Sequence, residues 1–128
     1  MAGQPYTSLA GLADVYLEDS FVLDIEAHPG SLVFRLDMVL TQEHPLYRPP
    51  KASETYCYRR GELRFQHVRQ LAWQSSGLKP STDATGEIDY GSISKYEVDG
   101  VRHSIAGDWG SLEIVSQELP AVTYSEER

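Results

Sequence analysis

The apolar residues of this chain recur at two periods, and the change between them falls near residue 20. Leu9, Leu12, Ala13 and Tyr16 stand at i, i+3, i+4 and i+7, one face of a helix, with Thr7 or Ser8 placed to cap it. A short N-terminal helix is therefore predicted, although Gly11 in its interior weakens it and a strand starting near Val15 competes with it. From Phe21 the period is two. Phe21, Leu23 and Ile25 alternate with Val22, Asp24 and Glu26, which predicts a strand with one buried face. His28-Pro29-Gly30-Ser31 supplies turn chemistry, and beyond it Leu32, Phe34, Leu36, Met38 and Leu40 alternate with Val33, Arg35, Asp37 and Val39. The two runs together read as a β-hairpin.

Residues 42–53 contain Pro45, Pro49 and Pro50, which cannot donate to a ladder, so this stretch is expected to be a loop, with Tyr47 anchoring it to the core. A second hairpin is predicted from Tyr56 and Tyr58, a turn at Arg59-Arg60-Gly61, and a return strand bearing Leu63, Phe65, Val68, Leu71 and Trp73. The apolar parity slips by one residue between Phe65 and Val68, as a β-bulge would produce. Ser75 to Gly86 is polar and broken by Gly77, Pro80 and Gly86, and reads as a long, flexible loop.

Ile88, Tyr90, Ile93, Tyr96 and Val98 then lead into Asp99-Gly100, a dipeptide suited to a type I′ turn. Val101, His103 and Ile105 form the return strand, and Gly107-Asp108-Trp109-Gly110 makes a further turn. A last strand begins at Leu112 and Ile114, extends towards Leu119 and ends at Pro120, leaving residues 125–128 as a frayed tail. Turns at this spacing predict one mainly-β domain over residues 1–128, an antiparallel sandwich or curved barrel-like sheet with a short N-terminal helix.

Charge changes the picture more than composition does. The net charge of −8 is uneven: residues 1–46 hold seven acids and one base, residues 47–80 two acids and seven bases, and residues 81–128 ten acids and three bases. An acidic whole repels nucleic acid and anionic membranes at long range, while a local basic patch can still bind an anion. The apolar stretches are too short to cross a bilayer as a helix. The first residues lack the basic and apolar regions of a secretory signal, and Cys57 stands alone, so a cytoplasmic location is expected.

The candidate chemistry is sparse. Cys57 would need His44, His67 or His103 as its base to act as a nucleophile, and no local signature joins them; a small inert thiol is the expectation. None of the four histidines has the spacing that presents two metal ligands from one element. Asp83 to Asp89 places oxygens at alternate positions as a calcium loop does, but its glycine is out of register and no glutamate closes it. Neither a metal nor a cofactor is predicted, and no phosphate-cradling loop or catalytic motif supports an enzyme.

One positive signal is the basic segment, where Arg48, Lys51, Arg59, Arg60, Arg64, Arg69 and Lys79 interleave with Tyr47, Tyr56, Tyr58, Phe65 and Trp73. Arginines beside aromatics on a sheet hold single-stranded nucleic acid. Against this, Arg59 or Arg64 is expected to meet Asp24, Glu26 or Asp37 across the sheet, and alternation sends most of the aromatics to the core. Trp109 is either an exposed recognition residue or the cap of a sheet core. Arg48, Arg59, Arg60, Arg64, Arg69 and Trp109 are thus the candidate binding residues.

Asp19-Ser20-Phe21-Val22-Leu23-Asp24-Ile25, Asp89-Tyr90-Gly91-Ser92-Ile93 and Gly107-Asp108-Trp109-Gly110 resemble segments of small, uncharacterised bacterial all-β domains, some of them associated with immunity proteins of bacterial toxin systems. The resemblance implies a β domain and carries over no functional residue. The reading that follows is a non-catalytic protein-interaction module whose acidic surface suits a basic protein partner. The alternatives are nucleic-acid or anion binding through residues 47–80, or an enzyme of unknown reaction. Strand edges also leave a homodimer open.

Overall fold

The computed structural model describes residues 3–52, 54–75, 81–82 and 88–125. In chain order its strands are β1 (Gln4–Pro5), β2 (Val15–His28), β3 (Ser31–Leu40), β4 (Cys57–Gln66), β5 (Val68–Ser75) and β6 (Ser81–Thr82). There follow β7 (Ile88–Asp89), β8 (Ile93–Asp99), β9 (Arg102–Gly107), β10 (Gly110–Ser116) and β11 (Ala121–Tyr124). Two antiparallel sheets result, one ordered β1-β8-β9-β10-β5 and the other β11-β4-β3-β2, while β6 pairs with β7. Neither sheet closes into a barrel among the described residues, and no helix there is long and apolar enough to cross a membrane.

The mainly-β, antiparallel character read from the alternation is what the structure shows. The core-facing set of β3 is the predicted one: Leu32, Phe34, Leu36, Met38 and Leu40 are buried. Phe34 meets Trp109 from the opposite sheet with ring centroids 5.6 Å apart, and Phe65 of β4 meets Tyr96 of β8 at 6.5 Å. The hairpin at residues 28–31 is present, joining β2 to β3 with His28 opposite Ser31. A loop between β3 and β4 is also present, described over residues 41–52 and 54–56, with Tyr47 packed against the core.

Several expectations are corrected. The N-terminal apolar run forms two 3₁₀ turns, Tyr6–Ser8 and Ala10–Leu12, because Leu9 between them is extended (φ −82°, ψ 129°). Leu9 and Leu12 are nonetheless buried, so the helix-like spacing marked a buried face without making an α-helix. The strand near Val15, the competing reading, is the one realised.

Arg59-Arg60-Gly61 is no turn but the middle of β4, which runs unbroken beside β3 from Cys57 opposite Leu40 to Gln66 opposite Ser31. Gly61 serves close approach: a Cβ there would collide with the Thr123 carbonyl oxygen on β11 and lie 2.6 Å from Met38 Cε. The parity slip between Phe65 and Val68 is a corner, not a bulge. His67 takes a left-handed conformation (φ 55°) and the chain leaves one sheet for the other.

The turn after β8 is also displaced. Asp99 pairs with Arg102, so its central residues are Gly100 and Val101, and of these Gly100 has positive φ (61°). A type I′ turn would force the β-branched Val101 into that region, which sterics oppose. Pro120 does not end the last strand; β11 begins at Ala121 and crosses to the four-stranded sheet. The flexible loop, the calcium-like loop and the tail fall largely on residues 76–80, 83–87 and 126–128, outside the described residues.

Candidate functional site

The first step towards a site is an irregularity in β2. Tyr16 is opposite Val39 and Phe21 opposite Asp37, so residues 17–20 face a single residue of β3. The buried Ser20 hydroxyl fills the gap, donating to the Tyr16 carbonyl (2.7 Å) and accepting from the Val39 N–H (2.9 Å). The extra residues reverse the predicted parity at Phe21 and Val22, and a second shift between Val22 and Asp24 returns Ile25 to the core side. Val22 becomes fully buried, and Phe21, expected in the core, is 38% exposed on the outer face of the sheet.

There Phe21 stacks on Tyr58 of β4 with centroids 5.9 Å apart, and Tyr56 meets Tyr58 edge-on at 6.2 Å. Most aromatics of this segment are expected on the core face, but these two tyrosines cover the outside. The Tyr56 hydroxyl donates to the Asp19 carboxylate, and that bond with its negative charge raises the phenol above its ordinary value. Tyr58 is raised first by burial and then by the charges of Asp19, Asp37 and Glu54. Both phenols hold their protons in a negative field.

Beside the rings lies a cleft of about 460 Å³ lined by Phe21, Tyr56, Tyr58, Glu18, Asp19, Asp89 and Asp108. Glu18 accepts from the Tyr6 hydroxyl (2.5 Å), and burial is the main cause raising that phenol. Asp89 accepts from the Gly91 N–H at 2.9 Å, and Asp108 lies over Gly91, whose φ of 93° and lack of a Cβ let the carboxylate approach. Val22 and the strand-7 flank join through Val22 N–H to the Gly91 carbonyl (2.7 Å) and Tyr90 N–H to the Val22 carbonyl (2.8 Å). Acids from three distant parts of the chain thus line one cleft, and its lining holds no basic residue among the described residues. Tyr56 is also a wall of a second cleft, about 380 Å³, bounded by Tyr16, Val39, Tyr47 and Pro50.

The predicted binding residues do not converge. On the outer face Arg60 stands opposite Asp37 with a 3.7 Å ion pair, and Arg64 pairs with Glu62 on its own strand at 2.8 Å. Arg59 points to the other face and donates from Nε to the Ser125 carbonyl (3.0 Å). Arg69 is exposed on β5 in the other sheet, and Arg48 is half-buried in the loop between β3 and β4. The basic segment is therefore divided between two sheets and two faces. Trp109 is fully buried, which removes it as a recognition residue.

His103, His44 and Cys57 lie apart from the cleft and are packed into the fold. His103 is fully buried, with Nδ1 2.8 Å from the Tyr96 hydroxyl, and burial lowers its pKa. His44 accepts from the Leu46 N–H at Nδ1 (3.0 Å) and lies 2.9 Å from the Tyr124 hydroxyl through Nε2; burial lowers it too. Cys57 is buried. Among the described residues no group of three or more His, Cys, Asp or Glu is arranged to hold a metal ion.

Comparison with protein-family models, characterised proteins and solved structures finds no match to this chain. The cleft must therefore be read from its own chemistry. The acids at 18–19, 89 and 108 are visible in the sequence only as members of a large acidic population, and the local signal is the polar run Glu18-Asp19-Ser20, which breaks the alternation before Phe21.

Proposed function

We propose that this chain is a non-catalytic protein-interaction module that receives a basic segment of a partner protein in the acidic, aromatic cleft. The carrying observation is the joining of Glu18, Asp19, Asp89 and Asp108 to the exposed rings of Phe21 and Tyr56 and the half-buried ring of Tyr58 in one cleft without a basic residue. Carboxylates accept the charged hydrogen bonds of lysine or arginine, and an aromatic face attracts the same cations through its quadrupole. The surrounding net charge of −8 would steer such a partner towards the surface. A role like that of toxin-immunity proteins, with an acidic domain covering a basic protein, is one form of this reading.

Titration of the isotopically labelled chain with a short peptide alternating arginine and apolar residues tests it. Shift changes are expected at Ser20, Phe21, Gly91 and Ser92, to weaken with added salt and to be lost in D19N combined with Y56A. Changes scattered over the surface, or unaltered by those substitutions, would overturn the reading. Binding of single-stranded nucleic acid is expected to be absent, because Arg60 and Arg64 are paired with acids on the outer face while Arg59 lies on the other face and Arg69 on the other sheet.

A further inference from the structure

The two sheets end in four edge strands, and three of them carry devices that discourage pairing with another chain. β1 is two residues long and contains Pro5, and β11 is four residues long. β2 carries Glu18, Asp19, Asp24 and Glu26, is interrupted by two register shifts, and spends its Val22 backbone groups on Tyr90 and Gly91. Short length, charge, proline and bulges are the means by which β proteins keep their edges from associating.

β5 has none of these over its regular stretch. Its eight residues, Val68–Ser75, contain no proline and no acid, and their one charge is Arg69. Arg69 falls at the bulge that ends regular pairing with β10, whereas Gln70 to Gln74 pair in register with Val115 to Ser111. Among the described residues no strand pairs with the other edge of β5. Leu71 and Trp73 stand opposite the buried Ile114 and Leu112, on the core side of the sheet, yet remain 36% and 39% exposed. Exposed apolar side chains beside an open ladder are the ingredients of strand addition.

We propose that this edge pairs with the same edge of a second copy of the chain, antiparallel and centred on Ala72. The reason to choose a second copy is the near-palindromic chemistry of Gln70-Leu71-Ala72-Trp73-Gln74. About a two-fold axis at Ala72, each Leu71 lies opposite the other copy's Trp73, each Gln70 opposite a Gln74, and Ala72 opposite itself. An isologous interface requires this self-complementarity, and a cross-strand aromatic–aliphatic pair occurs twice in it. Charge supports the same choice. Two copies of net charge −8 repel over most of their surface, and β5 is an edge where the strand itself brings no acid against acid. The five-stranded sheet of each copy would then continue into the other's. This inference is independent of the cleft, whose lining includes no residue of β5.

Sedimentation of the full chain over a range of concentrations tests the pairing together with cysteine cross-linking. A reversible dimer is expected, and L71K or W73K should weaken it by roughly tenfold or more, since each introduces a cation into both halves of the contact. A72C should form an intermolecular disulfide under mild oxidation, because directly opposed antiparallel residues have Cα atoms about 4.5–5.5 Å apart, within disulfide reach. Q74C should cross-link less, its opposite number being Gln70. If L71K does not fold, as circular dichroism would reveal, the A72C and Q74C pair still decides. A chain that is monomeric up to roughly millimolar concentration, a dimer indifferent to both lysine substitutions, or cross-linking by Q74C in preference to A72C would each overturn the proposal.

Discussion

The outer face of the four-stranded sheet has two halves that treat charge in opposite ways. Towards the β2–β3 hairpin, Arg35 stands opposite both Asp24 and Glu62, Arg60 opposite Asp37, and Arg64 beside Glu62, so acids and bases alternate across the strands. Towards the other end, Tyr16, Phe21, Tyr56 and Tyr58 replace the bases, and Glu18 and Asp19 meet Asp89 and Asp108 brought from the far part of the chain. The first half neutralises itself and has little to offer a charged ligand. The second leaves its negative field directed at a cleft floored by rings. Net charge alone does not distinguish these surfaces; the cross-strand neighbour does.

The largest effect that would break this contrast is loss of the ion pair at the centre of the neutral half. R60A removes from Asp37, whose side chain is 12% exposed, the ion pair of an Arg60 side chain that is itself 22% exposed. A loss of about 2–3 kcal/mol in denaturant unfolding is expected, below the figure for a wholly buried pair because some water reaches both groups. Y56A in the acidic half should do the reverse. It removes an exposed ring and the donor to Asp19, so it should lower affinity for the cationic peptide about tenfold while changing stability much less.

An acid titration sharpens the contrast between the outer face and the core beneath it. Burial lowers the His103 pKa below its ordinary 6.5, so the folded chain stays neutral there while the unfolded chain takes up a proton. Stability from this group is complete above about pH 6.5 and declines as pH falls towards the folded value, by at most about 1.4 kcal/mol per pH unit. H103F should flatten this part of the pH profile in urea unfolding, even if its absolute stability falls because Tyr96 loses its partner. R64A should have the smallest effect. Arg64 and Glu62 are 41% and 36% exposed, and removing such a pair should alter stability by less than about 0.5 kcal/mol.

Much of the architecture was legible in the chain. The alternation over Leu32 to Leu40 assigned the face of β3 correctly because a period of two leaves a buried strand no other arrangement. Pro45, Pro49 and Pro50 located a loop because proline lacks the donor a ladder needs. Errors came where a local signal had more than one physical meaning. Arg-Arg-Gly looks like a turn, but Gly61 is required by β11, sixty residues away, pressing on β4. The slip at His67 looks like a bulge and is a change of sheet, since both shift the apolar parity by one.

The site was less legible than the fold for the same reason. In the sequence Tyr56 and Tyr58 are companions of arginine, yet their spatial companions are Asp19, Asp89 and Asp108. Phe21 was assigned to the core because nothing in Asp19-Ser20-Phe21 says that a serine hydroxyl will stand in for a backbone group and rotate the strand.

Local sequence suffices for the mainly-β antiparallel character, the clean inward face of β3, and the acidic total with its basic middle. These depend on composition and on neighbours two residues apart. Only the tertiary structure decided that Trp109 is buried, that the arginines are divided among faces, and that acids from three segments gather around exposed rings. Those outcomes depend on which strands lie side by side, and strand pairing is a relation between distant residues that no local period encodes.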